Sequence, residues 1–175
     1  MKRRITRAVL VICCYILQTT VFRTFEMGQV APNILLILTV SFGFMQGKKE
    51  GILTGFLSGL IIDIFHGDIL GVYAMIYMYI GYISGFFSKI YFDDDLKVPL
   101  IMIAGGDMIY NVIIYLLFFM MQGKLQFYSY LKTVFLPEIV YTVLISIVLY
   151  RLFYILNQYL VKDETRGNAS LWLRN

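Results

Sequence analysis

No polar stretch of this chain is long enough to fold into a water-soluble domain, and that constrains it more than any single motif. Six apolar segments occupy most of the 175 residues, and the pieces between them reach only about ten to fifteen residues. The segments are expected at 5–22, 31–46, 51–66, 70–87, 98–121 and 136–157. A helix needs roughly 20 residues to cross the hydrocarbon core of a bilayer, so the first, fourth, fifth and sixth qualify directly. The second and third are shorter and are joined by Gln46-Gly-Lys-Lys-Glu50, which reads as a tight charged turn, so together they form a spanning hairpin. The expected fold class is therefore an all-α membrane protein of six transmembrane helices, a single unit over residues 1–160 with a short tail at 161–175.

Composition points the same way. Hydrophobic residues make up 59% and charged residues 15% of the chain, against roughly 45–50% and 25% in soluble domains. The basic balance does not indicate nucleic acid, because lysine and arginine cluster beside apolar segments, where anionic lipid headgroups are the natural neighbours. With six spans, twelve of the fifteen Lys and Arg residues fall on one side, which the positive-inside rule assigns to the cytoplasm together with both termini. Lys2-Arg3-Arg4 followed by an apolar run imitates a signal peptide, but Gln18-Thr-Thr-Val-Phe-Arg23 offers no small-residue cleavage site, and the segment reads as a retained helix. The adjacent Cys13-Cys14 lie in that run and read as small buried hydrophobes. No cofactor or metal site is expected.

Three sets of residues stand out. Gly51, Gly55 and Gly59 recur at every fourth position, and Asp63 continues the series, followed by Gly67 and Gly71. Residues four apart share one helix face, so these glycines form a ridge that a second helix can approach closely. Asp63, an acid near the outer helix end, is expected to bond to a neighbouring span or a ligand, and Gly67 and Gly71 to bracket a tight reversal. Asp107 falls near the middle of the fifth span and shares a face with Asn111, both pointing into the bundle. Glu138 follows Pro137, a residue favoured at the first helical position, and reads as a complement to the helix dipole. Gln18 is expected to make an inter-helix bond and His66 to lie at the surface. The acidic triplet Asp93-Asp94-Asp95 reads as solvated, and Phe127, Tyr128 and Tyr130 as part of an interfacial aromatic belt. No nucleophile–base pair, P-loop or HExxH pattern is present, which disfavours an enzyme.

The layout resembles the rod shape-determining MreD family of bacteria. The likeness rests on length and span count, on Pro32-Asn33-Ile-Leu-Leu-Ile, and on Gly55-x3-Gly59-x3-Asp63-x3-Gly67-x2-Leu70-Gly71 ahead of an aromatic-rich helix through Gly81-Tyr82. Asp107 and the Leu136-Pro137 opening of the last span add to it. The resemblance implies a non-enzymatic scaffold of the cell-elongation and peptidoglycan-building machinery in the plasma membrane. Its implied partners are an MreC-like membrane-anchored protein, with MreB, RodA and a transpeptidase alongside, and self-association is possible. It also implies a fold similar to the substrate-binding subunits of energy-coupling-factor transporters. Two rival readings follow: a small-molecule binding subunit with a pocket near Asp63, Glu138 and the loop after Met121, and a proton-coupled carrier using Asp107.

Overall fold

The computed structural model describes residues 2–24, 30–67, 69–88, 97–119 and 127–172. Among these, all regular structure is helical: α1 (Lys2–Thr24), α2 (Ile34–Gln46), α3 (Lys48–His66), α4 (Val72–Phe87), α5 (Lys97–Ile114), the short α6 (Phe127–Tyr130) and α7 (Leu136–Trp172). Two stretches of helix, Lys97–Leu117 and Tyr128–Tyr159, are long and apolar enough to cross a membrane. Only 28% and 22% of their most apolar windows are buried, which separates them from the core helices of a soluble protein. Exposed Ile5, Val9, Ile12 and Ile16 give α1 a similar outward apolar face.

α2 is the axis of the fold. It touches α1, α3, α4, α5 and α7, and every residue from Ile34 to Gly43 is buried. A helix that is apolar on all sides belongs at the centre of a bundle. It begins at Ile34 rather than at 31, because Asn33 is its N-cap: the Asn33 side-chain oxygen accepts from the Leu36 amide at 3.2 Å. Gln18 of α1 completes the cap by accepting from the Leu35 amide at 3.2 Å, the inter-helix bond expected of it. α2 turns into α3 through Gly47 alone, at φ +91°, a conformation that glycine adopts without strain.

The carboxyl-terminal part departs from the sequence expectation. Helical backbone starts at Phe127, inside what the apolar pattern marks as a loop reaching Leu136. It passes through a π-helical stretch, Leu131–Phe135, and continues into α7 without a break. The Leu136 amide bonds the Leu131 carbonyl, five residues back. A proline inside an α-helix clashes with the carbonyl four residues earlier and lacks an N–H, and the wider π turn accommodates both defects at Pro137. Glu138 consequently does not sit at a free helix amino terminus, and its reading as a dipole complement does not hold. At the other end the helix runs to Trp172, well past the expected limit of 157. The Asp93-Asp94-Asp95 triplet, Asp68 and the loop just after Met121 lie outside the described residues.

Candidate functional site: a glycine node and a buried polar cluster

The glycine series is a contact surface. α3 and α4 run antiparallel, and a β-carbon built on Gly51 would overlap the Gly81 carbonyl, one on Gly55 the Tyr77 carbonyl, and one on Gly59 the backbone of Tyr73 and Ala74. The match is reciprocal, since a β-carbon on Gly81 would strike the Gly51 carbonyl and one on Gly85 would lie 2.5 Å from the Lys48 α-carbon. α2 joins through Gly43, which has the Gly81 carbonyl 2.9 Å from its own β position. Three backbones thus meet, with the Ser84 hydroxyl seated beside Gly43, and dispersion contacts replace the hydrophobic driving force that lipid removes. Sequence reading found one half of this node. Gly81 and Gly85 carry the same four-residue spacing on α4, a signal that was there to be read.

Asp63 ends the ridge and caps the partner helix. Gly71, at φ +103°, precedes α4 and has no side chain with which to cap it. The Asp63 carboxylate supplies the missing acceptors: Oδ1 accepts from the Tyr73 amide at 3.0 Å and Oδ2 from the Ala74 amide at 2.9 Å. The side chain is only 3% exposed. A charged acceptor on two orphan amides at the positive helix end is the favourable pairing for a carboxylate in this position. Gly67 lets the chain leave α3, because a β-carbon there would lie 2.8 Å from the Asp63 α-carbon and carbonyl oxygen.

A second cluster lies among α2, α4, α5, α6 and α7. Asp107 and Asn111 both face the interior, at 0% and 1% exposure. Asn111 donates to the Asp107 backbone carbonyl at 3.1 Å and accepts from the Tyr130 hydroxyl at 3.1 Å. Tyr130 is therefore buried against this cluster rather than in an interfacial belt, whereas Tyr128 is exposed. Asn33 accepts from the Tyr77 hydroxyl at 2.6 Å, and its backbone amide donates to the Thr142 hydroxyl at 3.1 Å. Thr142 and Asn33 turn their side chains towards the buried Asp107 carboxyl group. Glu138 stands within electrostatic reach of Asp107 and faces Asn111.

This cluster borders a cleft of about 390 Å³. Tyr15, Gln18 and Thr19 of α1 form one wall, Ile62 and His66 of α3 another. Asn33, Tyr73, Tyr77, Tyr110 and Glu138 complete it. His66 is exposed as expected, and its Nδ1 bonds the Tyr15 hydroxyl at 3.1 Å. The glycine ridge and the Asp107 cluster are thus separate features, with Asp63 in the first and Glu138 in the second. A polar pair at the far end of the bundle was not foreseen: buried Arg7 forms an ion pair with Glu50, and Gln46 donates to Asn157 at 2.6 Å. No group of three or more His, Cys, Asp or Glu side chains placed to hold a metal exists among the described residues.

A helical bundle of this kind, with a lipid-facing apolar surface and polar groups turned inward, is an integral membrane protein. The model of the family described as rod shape-determining protein MreD matches residues 2–160, nearly the whole chain. The chain belongs to that family, which is one of shape-determining membrane proteins and is not known as a family of enzymes. Comparison with curated proteins and with solved structures finds no match.

Proposed function

We propose that this protein is a non-enzymatic, multi-pass scaffold of the bacterial cell-elongation machinery, held in the plasma membrane with both termini in the cytoplasm. The family match over residues 2–160 carries this reading. The packing supports it, because helices locked backbone to backbone at Gly43, Gly51 and Gly81 give a rigid body suited to holding partners in register. The partners proposed are an MreC-like membrane-anchored protein first, then MreB, RodA and a transpeptidase, bound through the helix bundle. The twelve-to-three charge split supports six spans and the orientation.

Purification from mild detergent followed by mass spectrometry of co-purifying proteins tests the scaffold reading. Recovery of an MreC-like protein, together with rounding of cells that lack this chain, is the expected result; normal rod shape in such cells would refute it. A reporter active only in the cytoplasm tests the topology. It should work after Asn175 and near Lys49 and fail near Gln126. The proposed likeness to the substrate-binding subunits of energy-coupling-factor transporters finds no support among solved structures. The cleft beside Glu138 is an observation in favour of ligand binding.

A further inference from the structure

We infer that the groove along the lipid-facing side of α3 and α4 is a site for one anionic phospholipid, with its headgroup at Lys48 and an acyl chain along the groove. The groove follows from the glycine node. Because Gly51 and Gly55 bring α3 against the α4 backbone, the side chains that flank the seam splay away from it. On α3 these are Lys48 and Ile52, four residues apart, and on α4 they are Met78, Tyr82 and Phe86, also four apart. Ile52, Met78 and Tyr82, with Met75 and Tyr79, line a groove of about 380 Å³. Met75, Tyr79 and Tyr82 are exposed, so the groove opens on the outside of the bundle, where the acyl chains lie.

One end of this apolar groove is charged. Lys48, one turn before Ile52, holds its ammonium 4.1 Å from the Phe86 ring centroid and 5.4 Å from that of Tyr82. Tyr82 therefore belongs to both features, lining the groove and facing the cation. The rings fix the position of the charge and leave N–H donors free for an anion. No carboxylate pairs with Lys48 among the described residues, and Glu50, two positions on, is bonded to Arg7. α3 also begins without a side-chain cap, since Gly47 precedes it, so the positive helix end and the exposed Lys49 add to the same region. A negative headgroup joined to an apolar chain complements this pairing of a cationic end with an apolar slot. A partner's transmembrane helix suits it less. Helices approach closely in lipid over small residues, and the glycines here are already engaged between α3 and α4, which leaves Ile, Met and Tyr side chains on the groove. A flexible acyl chain threads between such side chains, and the two thioethers adapt to it.

The inference needs only a membrane location, so it stands or falls separately from the scaffold reading. Native mass spectrometry of the protein in detergent, with equal amounts of phosphatidylglycerol and phosphatidylethanolamine of the same acyl chains, reads the occupant. Retention of a single phosphatidylglycerol per chain, in preference to phosphatidylethanolamine, is the expected result. Equal retention of the two would mean annular lipid only and would overturn the inference. Lys48→Gln should lower retention about fivefold or more, and Lys48→Arg should keep it. Lys132→Gln removes the same charge at an exposed position on another helical stretch and should leave retention unchanged. A loss in Lys48→Arg, or a loss in Lys132→Gln equal to that in Lys48→Gln, would overturn the site. Ile52→Trp and Met78→Trp fill the groove from opposite walls without touching the charge, and both should lower retention. They are compared as protein in which the buried Cys14 stays protected from a maleimide, so that misfolding is not mistaken for lost binding. Full retention in both would mean that the headgroup charge alone is recognised. A co-purifying membrane protein held in place of lipid, and released by the same two variants, would give the groove to a helix; either outcome overturns the inference.

Discussion

The capping role of Asp63 makes the sharpest quantitative prediction. Its two oxygens accept the Tyr73 and Ala74 amides at 3.0 and 2.9 Å, and Gly71 offers no substitute cap. In Asp63→Ala both amides lose their acceptor in a place from which water is largely excluded. Orphaning a buried donor costs about 1–3 kcal/mol, so two would cost about 2–6 kcal/mol if the chain could not relax. Polar contacts within membranes run well below such limits, because the unfolded chain in lipid also finds partners. A loss of about 2–3 kcal/mol is therefore expected. Asp63→Asn keeps one acceptor oxygen but turns an NH2 group toward the second amide, and it gives up the charge at the helix dipole. It should lie between the two, about 1–2 kcal/mol below wild type.

The protein carries its own reporter for this experiment. Cys13 is exposed and Cys14 is buried, and no other cysteine is present. In a Cys13→Ser background, labelling of Cys14 by a maleimide during titration of mild detergent with sodium dodecyl sulfate follows the opening of the bundle. The expected order of midpoints is wild type, then Asn, then Ala. An Ala variant within about 0.5 kcal/mol of wild type, the range typical of surface changes, would refute the cap, as would an Asn variant no more stable than Ala.

Two further outcomes follow from the same contacts. Gly55→Leu or Gly59→Leu drives a side chain into opposing backbone and should cost about 3 kcal/mol or more, while Leu57→Ala, at a partly buried position, should cost no more than about 2 kcal/mol. Equal tolerance of all three in the Cys14 assay would remove the close-packing argument. Asp107→Asn keeps the size and a hydrogen-bond acceptor while removing the ionisable group, so it should change stability by no more than about 1 kcal/mol, and cells carrying only this variant should keep their rod shape; a larger loss would mean that the contacts with Thr142 and Asn33 need the carboxyl group.

The parts of this fold that obey a period were legible in the sequence. Gly51, Gly55, Gly59 and Asp63 stand four apart, and that spacing places them on one face whatever surrounds them. Asp107 and Asn111 share a face for the same reason. What could not be read was any feature set by a second segment. Nothing local tells Gly51 that it meets Gly81, or Asp63 that the Tyr73 and Ala74 amides lack a cap. Arg7 is the clearest instance. In sequence it is one of several basic residues flanking an apolar run, yet it is 2% exposed and paired with Glu50, a residue 43 positions away. The Phe127–Phe135 region is illegible for a different reason: a proline signals a helix start, and a π turn lets the helix pass through it.

These features divide the bundle into two regions with different physical demands. Around Gly51 and Gly81 the backbones touch, so an added atom must displace main chain, and at Gly43 it must displace the Ser84 hydroxyl as well. Around Asp107 and Glu138 the demands reverse, since two neighbouring acids are held among polar side chains where an apolar pair would pack with less penalty. α2 belongs to both: its Gly43 lies in the glycine node, and its N-cap, Asn33, lines the cleft and bonds Tyr77. α4 does the same through Gly81 and Tyr77. The two helices that carry the closest packing in the molecule therefore also hold the polar cluster in place, through the Asn33–Tyr77 bond.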